Sequence, residues 1–269
     1  MYSPPNNTPS PSYQGMNGGF ASNTPAFGQR SPEGLARFKP TITYILMGIM
    51  VGMFLLQLLS QWLVGDDLVA YFGLKVNELI LDGQFWRLIT PMFLHGSILH
   101  LGFNLYALYI FGPGLERFYG HWRFLALFFL AGFAGNVFSF LFTDAPSLGS
   151  STAIFGLLGA EGVFLYQNRR VLGSVSQRAL MNLVVIGIIN LVYGLSPGSG
   201  IDNWGHIGGL VGGALFAWFA GPELSVEGIY PYNALVDKRE RGDVWRAAIS
   251  VGLLFAFLVV VTVFLKLRY

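Results

Sequence analysis

The chain has 269 residues, of which 53% are hydrophobic and only 11% charged, with a formal net charge of +2. Soluble domains carry roughly 25% charged residues to coat their surface, so this composition excludes one, and the small net charge gives no argument for nucleic acid. With no cysteine there is no disulfide framework, no thiolate nucleophile and no cysteine metal site.

Residues 1–38 are rich in Pro, Ser, Asn and Gly and poor in aliphatics. They cannot bury a core and are expected to be a disordered cytoplasmic tail. The tail lacks the apolar stretch of a signal peptide and has too few arginines for a mitochondrial transit peptide. Seven apolar segments follow, at 42–64, 96–113, 124–142, 151–168, 179–195, 203–220 and 247–265. Most have the ~20-residue length that crosses ~30 Å of hydrocarbon, so the fold class expected is an all-α polytopic membrane bundle.

Twelve of the 16 Lys and Arg residues fall on the side of the N-terminal tail and four on the other. This bias predicts a cytoplasmic N-terminus. Segments 2, 4 and 6 then start in the outer leaflet, so His95, His100, Ser151 and His206 share one depth although they are far apart in sequence. The external stretch 65–95, with Tyr71, Phe72, Phe85 and Trp86, suits the headgroup interface and reads as a partly embedded loop.

Polar groups at membrane depth are costly and usually functional. In Leu148-Gly149-Ser150-Ser151-Thr152, Gly149 permits a tight turn and Ser151 opens a helix. The unpaired N–H groups of that first turn would stabilise an oxyanion. Alternatively, Ser150, Ser151 or Thr152 is only an N-cap. His206, Gly209 and Gly213 share one helix face by i, i+3, i+7 spacing, as do Ser151, Phe155 and Gly162 on segment 4. If those faces meet, Ser151 reaches His206 and Phe155 packs on the imidazole. A packing histidine bonded to a carbonyl is the plainer alternative. His100 and Asn104 stack at i, i+4 and both offer N–H donors. Two histidines also raise a metal reading, but no third ligand is evident and the spacing is not HExxH, so no metal or other cofactor is expected.

Together these features resemble the rhomboid family of intramembrane serine proteases. The resemblance covers about residues 62–220 and rests on Trp86-Arg87, then His95, His100 and Asn104, Gly114-Leu115-Glu116, Gly149-Ser150-Ser151, and finally His206, Gly209 and Gly213. It implies that Ser151 is the nucleophile and His206 the general base, with His100, Asn104 and the Ser151 N–H as the oxyanion hole. His95 and Phe155 would support the site, while Trp86, Arg87 and Glu116 would be structural. The implied organisation is a tail over 1–38, a six-helix core over 39–222, a cytoplasmic linker over 223–246, and a seventh helix with a short external tail over 247–269.

Two positions depart from the family pattern. Thr152 stands where a second glycine is usual, and its hydroxyl is expected to bond locally. Phe155 stands where tyrosine is common. Glu161 lies ~15 Å deeper than Ser151 along its helix and needs a partner or a proton; a structural hydrogen bond, with Asn190 and Gln57 as candidates, is expected over a functional relay. The expected activity is hydrolysis of peptide bonds in a single-span membrane protein that enters laterally from the bilayer. The alternative is a catalytically weak or inactive relative that binds membrane clients. A bacterial plasma membrane is the expected location, and oligomeric state leaves no signal in the sequence.

Overall fold

A computed structural model describes residues 38–229 and 233–268. The segment read as a disordered tail therefore lies outside the described residues, apart from Phe38. The first helix, α1 (Thr41–Val64), starts immediately after Pro40, where a missing N–H costs nothing. The external stretch folds into α2 (Leu68–Gly73), α3 (Asn77–Leu81) and two 3₁₀ turns, Phe85–Leu88 and Thr90–Phe93. It is tied into the protein by buried Ile80, Leu88, Met92 and Leu94.

α4 (Ile98–Tyr119) is capped by the Ser97 side chain, which accepts from His100 N at 3.1 Å. The segment read as stopping at Pro113 runs on to Tyr119, with Pro113 inside the helix. Burial of Leu115, Glu116 and Tyr119 outweighs the one backbone bond that the proline forgoes. α5 (His121–Phe142), α6 (Ser151–Gln167), the short α7 (Arg169–Leu172), α8 (Ser174–Gly194) and α9 (Asn203–Ala220) follow. The stretch read as a linker contains an antiparallel hairpin, β1 (Leu224–Glu227) with β2 (Ala234–Asp237), in which Leu224 pairs with Asp237. The last helix, α10 (Arg241–Lys266), begins well before residue 247 because a capping box between Glu240 and Asp243 starts it in polar sequence.

Among the described residues, five helices (α1, α4, α5, α8 and α10) are long and apolar enough to cross a membrane. α6 and α9 are shorter, at 17 and 18 residues, and occupy the middle of the bundle with α5. There Phe124, Phe128, Ala131, Ala134, Leu157 and Phe216 are fully buried. The outer helices turn Leu55, Leu59, Val184, Ile188, Leu253 and Phe257 outward, an apolar surface that lipid solvates and water would not. Side-chain-free contacts bring α6 and α9 together. A Cβ on Gly209 would overlap the Thr152 carbonyl, and one on Gly213 the Gly156 backbone. Close approach through small residues is how membrane helices gain packing energy where no hydrophobic effect drives them together. A Cβ on Gly162, expected on this seam, would instead meet Leu180 of α8 at 3.7 Å, and Gly159 faces α9 in its place.

Candidate active site

Ser151 is the first residue of α6, and His206 lies in the first turn of α9. The helix seam brings His206 Nε2 to 2.8 Å from Ser151 Oγ, within the reach of a nucleophile and its base. The imidazole stacks on Phe155, with ring centroids 4.1 Å apart and planes 11° from parallel. His206 Nδ1 is buried and has no hydrogen-bond partner among the described residues. Packing on Phe155, rather than a carboxylate, therefore fixes the ring. Asp202 caps α9, its side chain accepting from Gly205 N at 2.8 Å, and so sets where that first turn points.

Among the described residues, no side chain caps α6. The Ser151 hydroxyl is engaged by His206, and the Ser150 hydroxyl lies 3.4 Å from His95 Nε2. The first-turn N–H groups of α6 are thus free to donate. The turn before them needs glycine for two reasons. Gly149 has φ +126°, and a Cβ there would lie 2.6 Å from His100 Nε2. That same point is 3.8 Å from Ser151 Oγ, so the imidazole of His100 and the hydroxyl of Ser151 flank one small space.

The other predicted residues are placed as follows. Asn104 is buried one turn beyond His100, and its amide donates to His100 O at 3.0 Å. His95 is buried, its ring edge-on to His100 with centroids 5.2 Å apart. Trp86, Arg87 and Glu116 lie away from this cluster. Trp86 donates to Phe72 O at 3.1 Å from a half-exposed position. Arg87 is buried and ties the external stretch together through Gln84 Oε1, Leu74 O and Tyr71 O at 2.7–2.9 Å. Glu116, fully buried, accepts from Ile42 N, Thr43 N and Thr43 Oγ1 at 2.6–2.9 Å and pairs with His121 Nδ1 at 2.5 Å. It caps α1 from a different helix.

Two expectations are corrected. The Thr152 hydroxyl makes no local bond; Oγ1 is buried without a partner among the described residues. The side chain points between α5 and α9, where Gly135 and Gly205 leave it room. Glu161 makes no hydrogen bond to a described residue. Asn190 donates instead to Ile186 O in its own helix, and Gln57 to Asp67 Oδ2 and His95 O.

Several contacts that shape the site were not foreseen. Gln57 on α1 exchanges two bonds with the His95 backbone, at 3.0 and 3.2 Å. Residues 143–149, which lead into Ser151, are laced to the external stretch. Lys75 and Ser147 exchange backbone bonds of 3.0 and 3.2 Å, and Gly149 N donates to Pro91 O at 2.9 Å. The buried Lys75 Nζ donates to Thr143 O and Ala145 O at 2.8 and 3.1 Å. Burial pushes that ammonium down to about 8. Asp144 is held by Asn77 Nδ2 and by Lys266 Nζ of α10, both at 2.9 Å, and these donors pull its carboxyl below the usual range. A lone external lysine in sequence gives no hint of this; only the chain crossing creates it.

The rhomboid domain model matches residues 82–223, more than half of the chain, including His95, His100, Asn104, Ser151, Phe155 and His206. Similar proteins include "Rhomboid protease GluP" of Bacillus subtilis (strain 168), 40% identical over 81% of this chain and 40% of the relative. "RHOMBOID-like protein 9, chloroplastic" of Arabidopsis thaliana is 37% identical over 60% of this chain and 37% of the relative. "Rhomboid protease AarA" of Providencia stuartii is 32% identical over 66% of this chain and 70% of the relative. The chain thus spans about two fifths of the length of the first two and most of the third. With the domain model matched across the helices that carry Ser151 and His206, the chain belongs to the rhomboid family and is an integral, multi-pass membrane protein.

Proposed function

We propose that this chain is an intramembrane serine endopeptidase that cleaves membrane-spanning substrates through a Ser151–His206 dyad. The observation that carries this reading is the 2.8 Å contact between Ser151 Oγ and His206 Nε2, made at the uncapped N-terminus of α6. In the reaction Ser151 Oγ attacks the scissile carbonyl while His206 Nε2 takes the hydroxyl proton. The oxyanion is met by the Ser151 N–H, His100 and the Asn104 amide, which turns from His100 O toward the new charge. His206 returns the proton to the leaving amine, and the acyl-enzyme forms. Water, deprotonated by the same imidazole, then releases the acid and restores Ser151. His206 acts without a carboxylate partner, held by Phe155.

The N-terminal tail lies in the cytoplasm, which puts the dyad toward the outer leaflet of what we take to be a bacterial plasma membrane. The substrate is a single-span protein that enters laterally. Among the described residues, α8 is the most loosely seated of the spanning helices, with only 17% of its most apolar stretch buried, and it borders α6. The alternative of a non-proteolytic client-binding relative has less support. Both reacting groups are present, and Thr152 directs its bulk away from them. The test is cleavage of a single-span reporter in proteoliposomes containing the full chain. Cleavage within or beside the span by the wild type, and none by His206→Ala, is expected. Equal cleavage by both would refute the dyad.

A further inference from the structure

At the end of the bundle opposite the dyad, a groove of about 840 Å³ opens between α5 and α10. Its two walls follow the same spacing. Trp122, Leu125 and Phe129 line it from α5, and Arg241, Val244 and Ala248 from α10, each set at i, i+3, i+7 on one helix face. The first residue of each wall sits at the mouth, and the later ones form an apolar slot that runs along the helices toward the bilayer centre. Trp122 is 80% exposed, and Trp245 beside the α10 wall is 69% exposed, as suits indoles at headgroup depth. Among the described residues, Arg241 has no carboxylate within ion-pair distance, whereas Arg123 in the same groove is paired with Asp237 at 2.9 Å.

We infer that this groove is a binding site for one anionic phospholipid of the tail-side leaflet, its phosphate on Arg241 between the two indoles and one acyl chain along Leu125, Phe129 and Val244. The charge pattern selects this occupant. A second membrane helix would need an apolar mouth, and here the mouth carries an unpaired guanidinium. A free anion has no use for the apolar slot below it. A zwitterionic lipid would bring its own cation to Arg241. In the orientation proposed above this is the cytoplasmic leaflet, which is the anionic one. The lipid would bridge α10 to α5 at the end where the Lys266–Asp144 pair does not reach.

Native mass spectrometry of the full chain released from detergent, with added phosphatidylglycerol, phosphatidylcholine or inorganic phosphate, tests the site. The expected result is one retained phosphatidylglycerol per chain in preference to phosphatidylcholine, undisturbed by inorganic phosphate. Arg241→Glu should weaken that retention at least about fivefold, since one basic residue near an anionic lipid is worth about that factor. Arg178→Glu, an exposed charge on α8 away from the groove, should leave retention unchanged. Both substitutions are at exposed positions, and matching melting temperatures would establish that the variants fold. Equal retention of the two lipids, displacement by phosphate alone, or equal weakening by Arg241→Glu and Arg178→Glu would each overturn the proposal.

Discussion

The Thr152 carbonyl lies so close to the Cα of Gly209 that no Cβ fits between them. One residue on α6 and one on α9 thereby set the separation of the helices that carry Ser151 and His206. Gly209→Ala should push the helices apart, cost about 1–3 kcal/mol through overpacking and lower the cleavage rate about 10²-fold, as expected for ~1 Å of misplacement. Gly48→Ala on α1, where a Cβ would meet nothing within 4 Å, should leave the rate unchanged. Reporter cleavage and thermal unfolding of the two variants separate the cases.

Thr152 replaces the glycine usual in the family, yet Gly135 and Gly205 make space for its side chain. Restoring the family residue is therefore not a repair. Thr152→Gly should lower stability by about 1–3 kcal/mol, combining a helical glycine with an unfilled space, and should not raise the cleavage rate. A faster enzyme with an unchanged melting temperature would mean that Thr152 hinders the site.

Glu116 supplies the acceptors for three groups at the start of α1 and sits far from the dyad. Glu116→Ala should cost about 3 kcal/mol or more, because it leaves buried donors and a histidine without their partner. The fraction of protein that remains folded should still label normally with an active-site probe. Melting temperature and labelling per folded chain are the measurements.

Lys75 provides a pH test. Its folded-state value of about 8 lies below its ordinary 10.5, so between those values the unfolded chain binds a proton that the folded chain does not. Stability contributed through this group therefore rises with pH across that window and is flat below it. The rise should vanish in Lys75→Met. Thermal unfolding of wild type and variant from pH 7 to 11 gives the difference curve; a fall with pH in the difference would contradict the buried-ammonium description.

The sequence made the helical membrane architecture legible because apolar segments of spanning length leave few other folds. It also pointed to Ser151, His206 and Phe155 as neighbours, because glycines at fixed helical spacing mark the faces that meet. Gly162 shows the limit of that argument: the right angular position on α6 faces α8 rather than α9. Pro113 misled in the same way, since burial of Leu115 and Tyr119 decides where α4 ends. The start of α10 is set by the capping box at Glu240 and Asp243, in polar sequence that hydropathy does not mark. The roles of Lys75 and Asn77, and the bonds of Gln57 to His95, could not have been found, because those partners are supplied by segments 38 to 70 residues distant. Glu161 has the opposite standing: it is conspicuous in sequence, and no described residue bonds to it.

The proposed activation of Ser151 as a nucleophile is measured most directly by a fluorophosphonate probe. Detergent-solubilised wild type, Ser151→Ala and His206→Ala, each checked for folding, would be labelled side by side. The expected outcome is covalent labelling of the wild type on Ser151, none in Ser151→Ala, and a loss of at least about 10³-fold in labelling rate for His206→Ala. Labelling of Ser151→Ala at the wild-type rate, or of His206→Ala as fast as wild type, would contradict it.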